Sequence, residues 1–258
     1  MRVTFLGTGT SVGVPVITCK CDVCASTDPR NNRLRAGLLL EWQDDAGEVR
    51  VLVDTTTDFR QQALRIDLDR VDAVVYTHHH ADHILGLDEL RIYNFVHRVP
   101  IPLYGREQTM DAIRRVFSYA FDGQTTGVPR LELHATNGPF DLRGVRITPV
   151  PVQHHRLTIS AYRIGDFAYV TDCSGISDES AELLRGVGVL VIDALRRTPH
   201  PAHFTLEQAL REIERIGARK AYLTHLSHEF DHGTLEGELP DDVLVAYDGL
   251  VLDVDEAA

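Results

Sequence analysis

The sequence lacks the two kinds of apolar segment that direct a chain to a membrane. Across its 258 residues, no apolar run approaches the length needed to span a bilayer. Residues 1–7 do not form an apolar signal stretch followed by a small-residue cleavage site. We therefore expect a cytoplasmic protein that has no membrane partner.

Positive charge and cysteine are also scarce. The chain has 26 basic residues against 38 acidic ones, so its net charge is −12. A general nucleic-acid binder needs a basic surface to neutralise phosphates, so the acidic balance argues against nucleic acid as a partner. Four cysteines are too few for a disulfide scaffold, which also fits a reducing compartment. Predicted strands and helices alternate without a linker or repeat, which favours one domain over residues 1–258.

Histidine, by contrast, is concentrated after one apolar segment. Residues 71–75 are rich in valine and predict a buried strand. The loop that follows carries four potential metal ligands: His78, His80, Asp82 and His83. A strand end gives such a loop a rigid base, so two metals could be bound side by side. The alternative is a solvated histidine-rich loop, but it does not account for the aspartate or for the preceding strand.

Three of the four cysteines form a second cluster, at residues 19–24. Cys19, Cys21 and Cys24 have the spacing C-x-C-x-x-C, which can bring three thiolates to one tetrahedral zinc ion. His228, three residues beyond another histidine, is free to supply the fourth ligand. A redox pair of Cys21 and Cys24, or three inert cysteines, are the alternatives. We favour a structural zinc site.

Two further aspartates stand at the ends of predicted strands. Asp172 follows an apolar strand and begins the turn D-C-S-G, where a carboxylate could bridge two metals; a turn-forming role is the alternative. Asp54 ends the strand predicted at residues 49–53, and it could also cap the helix predicted to start at Phe59. Three arginines in the polar connector, Arg30, Arg33 and Arg35, either cover a site or are solvated.

The order of these segments resembles the metallo-β-lactamase superfamily, whose motif H-x-H-x-D-H follows a hydrophobic strand. Within that superfamily, C-x-C-x-x-C near the start and T-H-x-S-H at Thr224–His228 resemble the phosphodiesterases related to PhnP. The resemblance implies an α/β (α+β) fold, a four-layer αββα sandwich. It also implies a dinuclear metal site between the two sheets.

The resemblance assigns individual roles as well. It implies that His78, His80 and His154 hold one metal, that Asp82, His83 and His225 hold the other, and that Asp172 holds both. It gives Asp54 the role of orienting a ligand histidine from behind. Asp82 and His203 would be catalytic: His203 resembles an additional active-site histidine and could protonate the leaving group. The alternative for His203 is a solvated histidine near the start of a helix.

The function implied is a phosphodiesterase for a small cyclic or activated phosphodiester, similar to phosphoribosyl 1,2-cyclic phosphate. A metal-bridging hydroxide would attack the phosphorus. Its cofactors would be two divalent ions, Mn²⁺ or Zn²⁺, beside one structural Zn²⁺. The alternatives are an RNA-processing nuclease of the same superfamily, a thioester or lactam hydrolase, and a catalytically silent metal-binding module. The sequence leaves a homodimer open.

Overall fold

The computed structural model describes residues 1–254, in which fourteen strands form two sheets. The strands are β1 (Arg2–Gly7), β2 (Gly37–Asp44), β3 (Gly47–Val53), β4 (Ala73–Val75), β5 (Ile101–Gly105), β6 (Leu131–Ala135), β7 (Phe140–Leu142), β8 (Val145–His154), β9 (Leu157–Ile164), β10 (Phe167–Val170), β11 (Val189–Asp193), β12 (Lys220–Thr224), β13 (Val243–Val245) and β14 (Val251–Asp253). The first sheet has the order β14-β1-β2-β3-β4-β5-β6, and the second has the order β13-β12-β11-β10-β9-β8-β7.

Helices cover the outer faces of both sheets. They are α1 (Phe59–Arg65), α2 (Ala81–Ile84), α3 (Arg91–His97), α4 (Glu107–Val116), α5 (Asp178–Leu184), α6 (Leu206–Ile216) and α7 (His232–Glu236), with short 3-10 turns at Pro29–Asn31, Leu87–Leu90 and Ser118–Ala120. The longest, α6, begins with a capping box between Thr205 and Gln208 and ends at Gly217, whose φ is +70°. Within residues 1–254, no helix is long and apolar enough to cross a bilayer.

Three apolar clusters define the four layers. Side chains alternate along the strands, so Leu38 and Leu40 of β2 face the second sheet while Leu39 faces the helices. The middle cluster fills the space between the sheets, and the two outer clusters join one sheet to α1–α4 and the other to α5–α7. The predicted αββα sandwich is therefore confirmed. The prediction of one domain over residues 1–258 stays a prediction, and residues 255–258 lie outside the described part.

Parallel pairing brings several strand ends to one edge. Strands β3 and β4 run parallel, as do β10, β11 and β12. Strand β8 is antiparallel to β9, which is antiparallel to β10, so β8 ends at the same edge as β10. The loops that follow these strands therefore meet where the two sheets open.

Some predicted boundaries were wrong. Strand β4 covers only residues 73–75, and Asp82 and His83 lie in α2 rather than in a loop. Residues 87–97, whose sequence pattern predicts one helix, form a 3-10 turn followed by α3. Strand β9 was not predicted, and β6 lies within residues 122–139, whose composition predicts loop or broken strand. Each difference depends on pairing or packing with distant segments, which local patterns do not contain.

Candidate metal centre

Six strand ends supply the polar side chains at the edge where the sheets open. Asp54 follows β3, His78 follows β4, and His154 ends β8. Asp172 follows β10, Asp193 ends β11, and His225 follows β12. The helical turn α2 adds Asp82 and His83. All of these side chains except Asp82 are buried.

The backbone at three of these positions is left-handed. Asp54, Asp172 and His225 have φ values of +65°, +55° and +57°. Residues other than glycine rarely adopt this conformation, which costs of order 1–3 kcal/mol and is concentrated at functional sites. Asp54 and His225 directly follow a strand and Asp172 lies two residues beyond one, so the turn redirects each side chain into the site.

The ligand atoms form two groups. In each group one nitrogen or oxygen per residue lies within 4.8 Å of the others: His78, His80 and His154 in the first, and Asp82, His83, Asp172 and His225 in the second. Asp172 lies between the groups: its Oδ2 is 3.4 Å from His225 Nε2 and 3.9 Å from His78 Nε2. The structure therefore brings together all seven residues that the sequence assigned to the dinuclear site.

Hydrogen bonds fix which nitrogen His154 and His83 present to the site. His154 Nδ1 lies 2.9 Å from the carbonyl of Ala202, which can only accept a hydrogen bond, so Nδ1 carries the proton. His154 Nε2 is then a lone-pair atom, and it lies 3.2 Å from His80 Nδ1. His83 Nδ1 lies 2.7 Å from Asp54 Oδ2, which turns its Nε2 toward Asp172.

Asp54 contacts the ring nitrogen of His83 that faces away from the other ligands. Its carboxylate also accepts hydrogen bonds from the backbone N–H and the hydroxyl of Thr77, at 2.8 Å each. The N-cap position of α1 is taken by Asp58 instead, so the capping alternative for Asp54 was wrong. Such outer contacts orient ligands and raise their basicity in metal sites.

Charge at the site favours a cation. Burial by itself lowers the pKa of His83, but Asp172, Asp82 and Asp54 outweigh it and raise that pKa well above its usual value. Burial likewise raises the pKa of Asp172, but His225 and His83 reverse the effect and hold that pKa well below its usual range. Burial lowers the pKa of His154 to about 4, so this ring is neutral at pH 7. Ionised carboxylates and a neutral imidazole are what a divalent cation requires.

The donor atoms also fit a metal in a second respect. Within the described residues, His78 Nε2 and His225 Nε2 are buried and have no hydrogen-bond partner. A buried polar atom without a partner costs about 1–3 kcal/mol, which coordination to a cation would remove. The two groups therefore suit two divalent ions, with Asp172 in reach of both.

His203 lies beside the two groups. Its ring stacks on that of His225, with centroids 4.7 Å apart, and one of its ring nitrogens lies within 4.8 Å of His154 and Asp172 ligand atoms. Its Nδ1 is 2.9 Å from Asp193 Oδ2. Burial lowers the pKa of His203 to about 4, and burial raises the pKa of Asp193 well above its usual value.

Asp193 received no role from the sequence. The signal was available, because Asp193 ends a buried apolar strand just as Asp54 and Asp172 follow one. What the sequence could not supply was its pairing with His203 across the loop of residues 194–202. His155, the neighbour of His154, is exposed, and within the described residues it belongs to none of the ligand groups.

The cysteine cluster is a separate site. His228 Nδ1 lies 3.3 Å from Cys19 Sγ, 3.5 Å from Cys21 Sγ and 3.4 Å from Cys24 Sγ. A tetrahedral zinc ion would place sulfur and nitrogen about 3.5 Å apart. A hydrogen bond from the backbone of Cys24 lowers the pKa of the Cys21 thiol to about 6, and burial raises that of Cys24 to about 11. The four predicted residues thus lie together with spacing that suits zinc.

Comparisons with known proteins place this arrangement in a family. A family model described as the β-lactamase superfamily domain matches residues 49–226. A crystal structure described as that of a new diphosphatase from the PhnP family is 42% identical, with a TM-score of 0.92, and the match covers 99% of this chain and 98% of that one. The chain belongs to the PhnP family of the metallo-β-lactamase superfamily.

Two other similarities are more limited. An octanoyltransferase of Porphyromonas gingivalis is 40% identical over 99% of this chain, but the chain spans only 52% of that protein's length. The short form of human tRNase Z is 20% identical, with a TM-score of 0.73 and coverage of 99% and 100%, so it shares the fold. Membership of the superfamily, together with the clustered histidines and aspartates, identifies a metal-dependent hydrolase.

Proposed function

We propose that this PhnP-family hydrolase is a dinuclear-metal phosphodiesterase that acts on a small cyclic or activated phosphodiester, similar to phosphoribosyl 1,2-cyclic phosphate. One observation carries the proposal: two groups of ligand atoms face each other across Asp172. A carboxylate in that position can offer one oxygen to each of two cations. Paired cations are common in enzymes that hydrolyse phosphate esters.

The proposed ligands divide as the geometry suggests. His78, His80 and His154 would hold one ion, Asp82, His83 and His225 would hold the other, and Asp172 would contact both. Bound divalent ions would supply an activated water nucleophile and neutralise the oxygens of the phosphate. Imidazole and carboxylate donors suit Zn²⁺ or Mn²⁺, whereas three thiolates and one imidazole at the cysteine cluster favour a structural Zn²⁺.

The leaving alkoxide needs a proton, and the pair of Asp193 and His203 is placed to provide it. Burial raises the pKa of Asp193 well above its usual value, and its Oδ2 lies 2.9 Å from His203 Nδ1. A second proton on this pair would leave His203 Nε2 protonated. Because Nδ1 faces Asp193, Nε2 is the nitrogen left to face the substrate. His203 is thus our candidate for the proton donor, and Asp193 positions its ring.

A diphosphate is the second candidate substrate class. It is favoured by the 42% identity, over almost the whole chain, to a protein described as a diphosphatase. Phosphoanhydride hydrolysis needs the same charge neutralisation, but its phosphate leaving group has less need of a proton than an alkoxide has. An RNA-processing role finds less support, because the net charge is −12 and the likeness to tRNase Z concerns the fold alone.

Turnover on a panel of substrates tests the proposal. The metal-free protein would be reconstituted with Mn²⁺ or Zn²⁺ and given a cyclic ribose phosphate, bis(p-nitrophenyl) phosphate, a dinucleoside diphosphate, RNA and a thioester. We expect two active-site metals per chain and the highest kcat/KM on a small phosphodiester. Preference for the diphosphate would support the second candidate. Turnover of RNA or the thioester alone would overturn the proposal, and full metal occupancy without turnover would point to a silent metal-binding module.

A further inference from the structure

One short segment carries ligand residues of both metal clusters. After β12 ends at Thr224, His225 faces Asp82 and Asp172 in the candidate dinuclear site. Only three residues later, His228 faces the three cysteines. The loop of residues 225–231, which precedes α7, is therefore shared by the two clusters. We call it the shared loop.

A buried arginine holds this loop from the N-terminal side. Arg33 has no solvent exposure, and its Nη1 donates to the carbonyl of Ser227 at 3.1 Å. Its Nη2 donates to the carbonyl of Phe230 at 2.8 Å and to Asn31 Oδ1 at 3.2 Å. Burial lowers the pKa of Arg33 to about 10, so the guanidinium remains charged at pH 7. The two carbonyls that Arg33 binds, those of Ser227 and Phe230, lie on either side of His228 in the sequence.

Three further contacts of the shared loop reach the same part of the chain, and the backbone of Ser227 also donates to the carbonyl of Leu195 at 3.0 Å. The backbone of Leu226 donates to the carbonyl of Thr8 at 2.9 Å and accepts from Thr10 at 3.3 Å. Asn31 donates to Asp231 Oδ2 at 2.7 Å. The partners in these three contacts and the three cysteines all lie between residues 8 and 33. The position of His225 thus depends on how the segment of residues 8–33 is held.

We propose that Arg33 is a positioning residue that couples the two metal clusters, so that zinc at the cysteines strengthens metal binding at the group containing His225. The inference rests on the metal assignments of the proposed function. Bound zinc would hold His228 to the three cysteines, and Arg33 holds the carbonyls of Ser227 and Phe230 on both sides of that histidine in the sequence. The shared loop is then fixed in the arrangement that directs His225 at Asp172. Such coupling is reciprocal by linkage.

Replacement of Arg33 should affect one active-site metal more than the other. In Arg33→Met the carbonyls of Ser227 and Phe230 lose their buried donor, and the loop can move. Loss of an outer contact typically weakens metal binding about 10–100-fold, and we expect that loss for the group containing His225. The group formed by His78, His80 and His154 has no residue on the shared loop. Its affinity should therefore be unchanged.

Stepwise metal titration of the apoprotein measures this difference. His225→Ala identifies which binding step belongs to its group, and Arg33→Met added to His225→Ala should give no further loss at that step. Cobalt bound by thiolates absorbs in the near ultraviolet, so occupancy of the cysteine cluster can be followed separately. Arg33→Lys keeps the charge and should recover part of the affinity. Arg30→Met is the matched control, because Arg30 is half-exposed and pairs with Asp28 and Glu236.

Wild-type protein provides a test that needs no Arg33 variant to fold. Cys21 is exposed, so an organomercurial that ejects zinc from the cysteines should weaken the same His225-dependent step. Unchanged affinity after ejection, or equal weakening of both active-site steps in Arg33→Met, would overturn the coupling. A wild-type protein that binds no metal at these clusters would instead refute the proposed function itself.

Discussion

The two metal clusters are built in different ways. Most histidines and aspartates of the candidate active site lie at or just after the ends of hydrogen-bonded strands or on α2, and most of them are buried. The three clustered cysteines lie in residues 11–28. This segment contains turns and one isolated β-bridge at Val14, but no helix and no strand of either sheet. Cys21 is exposed, and Cys19 and Cys24 are half-buried.

This difference predicts different consequences of metal loss. The strand ends are fixed by two sheets and three apolar clusters, so they should keep their arrangement without a metal. The cysteine segment has little buried apolar surface to replace a lost ion. A metal in the first cluster would therefore serve chemistry, whereas a metal in the second would contribute directly to local folding.

The largest effect should come from Asp172, the residue that both ligand groups share. Asp172→Ala leaves two sets of histidines without the carboxylate between them, so we expect loss of metal from both groups. Activity should fall by more than the 10–100-fold loss that follows when an outer contact is removed. Metal content and kcat/KM measure the change. Asp178→Ala is the control, since that aspartate is almost fully exposed. Full activity with unchanged metal content would rule out a bridging role.

The role of His203 can be tested by comparing substrates with poor and good leaving groups. General acid catalysis contributes about 10²–10⁴-fold, so His203→Ala should lower kcat by that order on an alkyl phosphodiester while both metals stay bound. The loss should shrink on a p-nitrophenyl ester, whose leaving group needs little protonation. Asp193→Asn should follow the same pattern with a smaller loss, and the exposed His155→Ala should change little. Equal losses on both substrates would instead indicate that His203 stabilises charge on the phosphate.

Asp54 tests whether the buried cluster depends on its outer contacts. Asp54→Asn keeps the size of the side chain but removes the charge beside His83 Nδ1, 2.7 Å away. We expect metal affinity to fall about 10–100-fold with little change in the folded structure. Isothermal titration of the apoprotein measures it. Asp58→Asn, which alters a carboxylate paired with Arg35, is the control. Unchanged affinity in Asp54→Asn would limit Asp54 to a structural role.

The sequence predicted the ligands better than it predicted the elements that carry them. His78–His83 and Cys19–Cys24 are compact motifs whose spacing is visible in the chain. Asp82 and His83 were predicted in a loop and lie in α2, yet both belong to the predicted ligand cluster. Strand β9 was missed because its pairing partners, β8 and β10, are recognised only from the folded sheet.

Residues that act through another residue were harder to find. Asp193 is defined by its contact with His203, and Arg33 by carbonyls almost two hundred residues away. Among the three arginines of the connector, the sequence offered no means to choose. The structure buries Arg33 completely and leaves Arg30 and Arg35 half-exposed beside carboxylates. Such burial is decided by tertiary packing, which overrides the polar character of the segment.

The smallest expected effect is the change in protein stability when the cysteine cluster loses its zinc. This test compares the two regions most directly. Cys21→Ser should release one zinc per chain and lower the free energy of unfolding. A loss of about 1 kcal/mol would lower Tm by ~2–4 °C in a chain of this size. Limited proteolysis should then cleave within residues 11–28, while the loops after β3, β4, β8 and β10 stay protected because their strands remain paired. Lys20→Ser, a change at an exposed neighbour that is no ligand, should leave both measurements unaltered.

A disulfide between Cys21 and Cys24 in protein kept under reducing conditions, with Tm unaffected by chelators, would favour the redox alternative. In that case the cysteine segment would not depend on a metal for its structure, and the proposed difference from the candidate active site, whose strand ends are fixed by the two sheets, would be wrong.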